Sequence, residues 1–262
     1  MTGKLKDEAN FSGKGYAICK NALAPVLLGQ IKREMIAMGR ALTGRDFSSV
    51  DACWNYLTAT DRALGGAFYN GFKRLPSVYQ AAVSDGVLAQ LRDVAGMQIP
   101  ALVDVNCRID SKDEDKYLFD WHQDYWFSVC SPDAVVVWIP VEPIHAGTGS
   151  LEIISNEWTN GRVFATRAGN AYNSYADAVV LDDEIPTAHA QSVTGDLSSG
   201  DALLFKFSML HRSEAVSSSA NSRFTIQLRF ADMADAEFRR NFYKPGVVNS
   251  SQVDFLKKED QK

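Results

Sequence analysis

Long apolar runs are missing from this chain. A bilayer-spanning helix needs roughly 18 consecutive apolar residues, and no stretch approaches that; the opening MTGKLKDEAN also lacks the apolar centre of a secretory signal. A soluble, cytoplasmic protein with no membrane partner is expected. Positive charge is not in excess either. With 27 Lys and Arg against 32 Asp and Glu, the net charge is −5 and no basic stripe is visible, which argues against a polyphosphate backbone, and so nucleic acid, as partner. Cysteine is sparse: Cys19, Cys53, Cys107 and Cys130 lie far apart with no CxxC pair. That excludes a disulfide framework and a structural zinc site, both of which need tighter clustering. Histidine is sparser in effect, because only His122, His145, His189 and His211 can serve any imidazole site.

There is no internal repeat and no low-complexity linker. The 262 residues, 46% hydrophobic, suffice for one large domain with a full core. We expect a single domain over 1–262: mostly helical support over 1–98, a β core over 99–232 and a tail over 233–262 that ends in the solvated KKEDQK. In NALAPVLLGQIKREMIAMGRAL, 21–42, Leu27, Leu28, Ile31, Met35, Met38 and Leu42 recur at helical spacing. LPSVYQAAVSDGVLAQLRDVAG, 75–96, reads as two short helices, the second capped by Ser84 or Asp85 and stopped at Gly96.

From about residue 99 the period changes to two. VDVNCRID (103–110), YLFDWHQD (117–124), DAVVVWIPV (133–141), GSLEIIS (149–155), GDALLFKFSMLH (200–211) and RFTIQLRFAD (223–232) read as short strands. Strands of this kind behind a helical segment predict a β-sandwich or barrel braced by helices. RFTIQLRF puts Arg223, Thr225, Gln227 and Arg229 on one face and Phe224, Ile226, Leu228 and Phe230 on the other. Alternation alone fits a polar face in water, the ordinary antiparallel case, or a polar face lining a reaction chamber.

A strand places residues i and i+2 on one face, so His122 and Asp124 of FDWHQDYWF can bind one metal ion together. His211, which ends the run DALLFKFSML, is the best third ligand. Two histidines and a carboxylate on one face of an octahedral ion leave three open positions, the arrangement of non-haem Fe(II) oxygenases. Arg223 follows at the head of the next strand, and a guanidinium fork suits the second carboxylate of a dicarboxylate co-substrate.

FDWHQDYWF, VVVWIPVEPIHAGTGSLEII and GDALLFKFSMLHRSEAVSSSANSRFTIQLRF, in this order, resemble the phytanoyl-CoA dioxygenase-like branch of the Fe(II)/2-oxoglutarate-dependent oxygenases, loosely over 15–232. The resemblance implies a double-stranded β-helix (jelly roll) with the polar strand faces inside. It implies Fe(II), 2-oxoglutarate and O2 as cofactor and co-substrates, and His122, Asp124 and His211 as iron ligands. It further implies Arg223 as partner of the distal 2-oxoglutarate carboxylate, with Ser213, Trp138, Gln123 and Asn106 at co-substrate positions. In related halogenases a small residue stands where Asp124 does, so oxygenation rather than chlorination is expected.

Two features depart from the pattern. SNEWTNGR replaces a Pro-Gly-Ser-His element after GSLEII, and the stretch that follows reads as a lid over about 156–190. His145 and His189 read as loop residues. Arg108, Arg229, Arg162 and Arg167 could meet an anionic substrate group; Arg108 and Arg229 are the candidates on interior strands. Arg223 and Arg229 lie about 20 Å apart on an extended strand, too far for one 2-oxoglutarate, so Arg229 is left to substrate or to a structural ion pair. The expected reaction is hydroxylation of an unactivated C–H of a small metabolite or natural-product intermediate, with release of succinate and CO2. A cupin-type metal enzyme without 2-oxoglutarate and a non-catalytic ligand-binding module are the alternatives, and the oligomeric state is not legible.

Overall fold

The computed structural model describes residues 11–112, 114, 117–145, 147–167, 178–193, 197–217 and 221–245. Its strands are β1 (Tyr16–Cys19), β2 (Pro100–Asp110), β3 (Val135–Pro140), β4 (Leu151–Ile154), β5 (Thr166–Arg167), β6 (Val179–Val180), β7 (Ala190–Ser192), β8 (Ala202–Lys206), β9 (Leu210–Ser213) and β10 (Arg223–Asp232). They form an antiparallel sheet in the order β1-β8-β3-β10-β2, a second sheet β7-β4-β9 and a β5-β6 pair. This is the mainly β, helix-braced jelly-roll architecture that the sequence predicts, as a sandwich open at its edges rather than a closed barrel.

The large sheet is covered on both faces. On β3, Val135, Val137 and Ile139 pack under the helices, together with Cys107 and Ile109 of β2 and Phe224, Ile226 and Leu228 of β10. Val136 and Trp138 point the other way and meet Leu151 and Ile153 of β4 across the sandwich. All six residues of β3 are therefore buried, which is why that strand reads as a continuous apolar run.

The outer layer is α1 (Pro25–Thr43), α2 (Val50–Thr60), α3 (Arg62–Phe72), α4 (Pro76–Ala82) and α5 (Asp85–Asp93). Ser49, Asp61 and Ser84 cap α2, α3 and α5 by accepting from backbone N–H groups in the first turn. Gly39 lets α1 approach α2, since a Cβ there would stand 2.1 Å from Cys53 Sγ.

Two strand expectations are corrected. YLFDWHQD is not a strand: only His122 makes isolated bridges, to His211 and Val179, and Asp124–Trp126 is a 3-10 turn. GDALLFKFSMLH is two strands rather than one. At Phe207 the chain leaves the large sheet, Phe207 N–H donating to Ala134 O at 2.7 Å and Ser208 N–H to Pro132 O at 3.1 Å, and β9 joins the small sheet. Within the expected lid, residues 168–177 lie outside the described residues, as do 246–262 of the expected tail.

Candidate metal centre

His122 and His211 face each other across the seam between the β9 edge and the 117–127 segment. Their backbones exchange both hydrogen bonds, His122 N–H to His211 O at 3.0 Å and His211 N–H to His122 O at 3.1 Å. The rings lie 4.1 Å apart between centroids. Each Nδ1 sits against a carbonyl oxygen, Asp120 O at 2.6 Å and Met209 O at 3.0 Å. A carbonyl only accepts, so each Nδ1 carries the proton and each Nε2 keeps its lone pair for a metal. Asp124 completes the cluster, its Oδ2 3.9 Å from His211 Nε2. All three side chains are buried, with one ligand atom from each within 4.8 Å of the others. The i, i+2 relation arises from a bridge followed by a 3-10 turn, not from a regular strand.

Charge is arranged for a cation. Burial, with the neighbouring His211, drives the His122 pKa down to about 3; burial also lowers His211. Both imidazoles are neutral at ordinary pH and ready to ligate. Burial alone would raise Asp124, but the Arg229 guanidinium, by its charge and its hydrogen bond, outweighs it and holds the carboxyl below its usual range.

Strands β2 and β10 line the interior with a ladder of polar pairs: Arg223 opposite Asp110, Thr225 opposite Arg108, Gln227 opposite Asn106 and Arg229 opposite Asp104. Arg229 Nη1 donates to Asp104 Oδ2 at 2.9 Å and Nη2 to Asp124 Oδ1 at 2.8 Å. Arg223 donates through Nε and Nη2 to Asp110 Oδ2 at 3.3 and 3.0 Å, and through Nη1 to Ser150 O and Glu214 O. Arg108 Nη2 donates to Asp110 Oδ1 at 2.5 Å, and its guanidinium lies 4.7 Å from the Phe119 ring centroid.

A cavity of about 550 Å³ opens over the cluster, with His122, Asp124, His211, Asn106, Arg108, Trp138, Ser213 and Arg229 in its wall. Arg108 also borders an adjoining recess of about 300 Å³. Two of the expected co-substrate residues, Gln123 and Arg223, are not part of that wall. The Gln123 side chain is fully buried and clamps the chain, donating to Arg162 O and Ser208 O and accepting from Phe164 N–H. Arg223 stands behind the cavity wall, bound to Asp110. His145 and His189 are exposed; His189 stacks on Trp158 at 3.6 Å. Arg162 pairs with Glu184 at the surface. Asp104, Asp110 and Ser150 were not singled out from sequence; the β2–β10 register sets Asp104 opposite Arg229 and Asp110 opposite Arg223, and Ser150 O accepts from Arg223 Nη1.

The family model for phytanoyl-CoA dioxygenase (PhyH) matches residues 11–225. The chain belongs to this family. Fe(II)/2-oxoglutarate-dependent oxygenase chemistry comes with that membership. No curated protein sequence matches the chain. Solved structures share the fold at low identity. The epimerase SnoN, in complex with Fe3+, alpha ketoglutarate and nogalamycin RO, has a TM-score of 0.58 at 15% identity, covering 88% of this chain and 84% of SnoN. The non-heme alpha ketoglutarate dependent carbocyclase SnoK from nogalamycin biosynthesis scores 0.56 at 14% identity, with 90% of each chain covered. HygX from Streptomyces hygroscopicus, with nickel and 2-oxoglutarate bound, scores 0.54 at 14% identity and 88% of each chain.

As a PhyH-family member, the chain has residues that fit both groups. The two free Nε2 atoms and a carboxylate suit iron. Among the described residues, the buried side-chain atoms without a hydrogen-bond partner are Arg108 Nε, Thr225 Oγ1, Ser150 Oγ and Arg229 Nε. The first three share the Arg108–Asp110–Arg223 region, where two guanidiniums face one carboxylate. An N–H, two hydroxyls and two guanidiniums suit a second carboxylate.

Proposed function

We propose that this PhyH-family protein hydroxylates an unactivated C–H of a small metabolite or natural-product intermediate, releasing succinate and CO2. The observation that carries the reading is the buried His122, Asp124 and His211 cluster in the wall of a cavity of about 550 Å³. Iron with 2-oxoglutarate and O2, when bound, supplies the oxidising power. The chain supplies position. Its imidazoles present Nε2 because Asp120 O and Met209 O fix Nδ1–H. Arg223, with Arg108 and Thr225, takes the distal carboxylate of the co-substrate, and Ser213, Trp138 and Asn106 border it. Phe119, Phe127, Trp138 and Phe205 give the cavity an apolar side that excludes water, while Tyr69, Asn70, Lys73 and Asp104 give it a polar side that can orient a functionalised substrate. The natural-product context named for SnoN and SnoK supports that substrate class.

The test is succinate formation from 2-oxoglutarate with Fe(II) and ascorbate, screened across a metabolite library, with product mass and His211→Ala as control. Substrate-stimulated succinate and a product heavier by one oxygen are expected. Turnover without succinate would favour a cupin-type enzyme, and ligand binding without turnover a binding module.

A further inference from the structure

The two oxygens of Asp124 have different neighbours. Arg229 Nη2 donates to Oδ1 at 2.8 Å, whereas Oδ2 lies on the side of His211 Nε2, 3.9 Å away. Arg229 is held from behind, since its Nη1 donates to Asp104, its cross-strand partner on β2. The β2–β10 register shifts between Arg229 and Phe230, an irregularity of the kind that re-aims a side chain. A planar guanidinium can serve two carboxylates at once; an ammonium at the same place is a point charge without the fork.

We propose that Arg229 is a positioning residue for the metal centre: by occupying Oδ1 it restricts Asp124 to one-oxygen ligation through Oδ2. The inference rests on the reading of His122, Asp124 and His211 as ligands. Its consequence is a count of coordination positions. Two imidazoles and one carboxylate oxygen leave three of six positions, two for a chelating keto acid and one for the oxidant. A carboxylate binding through both oxygens leaves only two, and the oxidant has no place.

A purely electrostatic role makes the opposite demand. A guanidinium beside a ligand repels a dication, so removing it would tighten metal binding. Removing a positioning residue loosens it, typically by about 10- to 100-fold. Co(II) reports both affinity, by calorimetric titration, and coordination number, by visible absorption. In Arg229→Gln we expect Co(II) affinity to fall by about 10- to 100-fold and the absorption to change as Asp124 turns. Arg229→Lys, which keeps the charge but not the fork, is expected to shift the same way by less. A loss of melting temperature alone would not alter the absorption of bound Co(II). Wild-type or tighter affinity with wild-type absorption in Arg229→Gln overturns the proposal; if that variant does not fold, the same result in Arg229→Lys overturns it. Wild-type Co(II) binding by His211→Ala is a separate failure, because it removes the ligand set itself and Arg229's role with it.

Discussion

Asp110 is shared by two buried arginines: Arg108 Nη2 meets its Oδ1 at 2.5 Å and Arg223 Nη2 its Oδ2 at 3.0 Å. Removing the carboxylate leaves two guanidiniums facing each other in a dry interior, where breaking such a cluster costs about 3–5 kcal/mol. Asp110→Asn should therefore destabilise the protein by that order in urea denaturation.

The same residue sets a pH dependence. Burial would raise the Asp110 pKa, but Arg108 and Arg223 bring it down to about 2. An acid whose folded pKa is depressed stabilises above its unfolded value, near 4, and loses that contribution as pH falls through the folded value. The contribution, about 2–3 kcal/mol, is complete above about pH 4 and fades towards pH 2. Chemical denaturation across that interval should show a flatter stability slope in Asp110→Asn than in the wild type. Equal slopes would mean that the arginines do not hold the carboxylate.

Arg223→Ala and Arg108→Ala should each weaken 2-oxoglutarate binding to the Ni(II)-loaded protein by at least tenfold, and Thr225→Val by less. A hydrogen bond to a charged group is worth about 1.5–3 kcal/mol and a neutral one about 1. Full retention of binding in both arginine variants would place the distal carboxylate elsewhere.

The metal cluster was legible because two of its features are local, a His-x-Asp spacing and a histidine closing an apolar run; the arginine opening the next strand was as plain. The polar–apolar alternation of RFTIQLRF was equally plain, and the helix-covered apolar face explains why the polar one lines the interior. Asp110, Thr225 and Asp104 were hidden because their importance depends on which β10 residue each β2 residue opposes, a non-local fact. YLFDWHQD carries a strand's period but spends its polar groups on turns: Asp120 Oδ1 accepts from Trp121 N–H at 2.8 Å, and Gln123 is committed to three backbone groups. The break at Phe207 was hidden by apolar continuity, since a strand that changes sheets stays buried on both sides of the crossing.

Gln123 lies between the two ligand positions in sequence, yet its amide serves the fold. Gln123→Leu leaves Arg162 O, Ser208 O and Phe164 N–H short of a partner, and each unsatisfied buried group costs about 1–3 kcal/mol. We expect a large loss of melting temperature with 2-oxoglutarate affinity within about threefold of wild type in the Ni(II) protein. A tenfold loss of affinity at unchanged stability would instead make Gln123 a co-substrate contact.

Gly149 connects backbone conformation to the arginine anchor. Its φ is +66°, and a Cβ there would stand 2.6 Å from Ala215 O, 2.8 Å from Glu214 O and 2.8 Å from Arg223 Nη1. Gly44, with φ +72°, closes α1 and has nothing within 4 Å of a Cβ. Alanine at either site takes the left-handed penalty of about 1–2 kcal/mol, but only Gly149→Ala also pushes on a carbonyl wall and on the guanidinium. The backbone cost is common to both, so the difference between the variants isolates displacement of Arg223. Gly44→Ala should lose stability by that order and keep wild-type 2-oxoglutarate affinity. Gly149→Ala should lose more stability and at least tenfold in that affinity, the order of one charged hydrogen bond. If Gly149→Ala binds 2-oxoglutarate as tightly as Gly44→Ala does, Arg223 can move without consequence and is not the anchor.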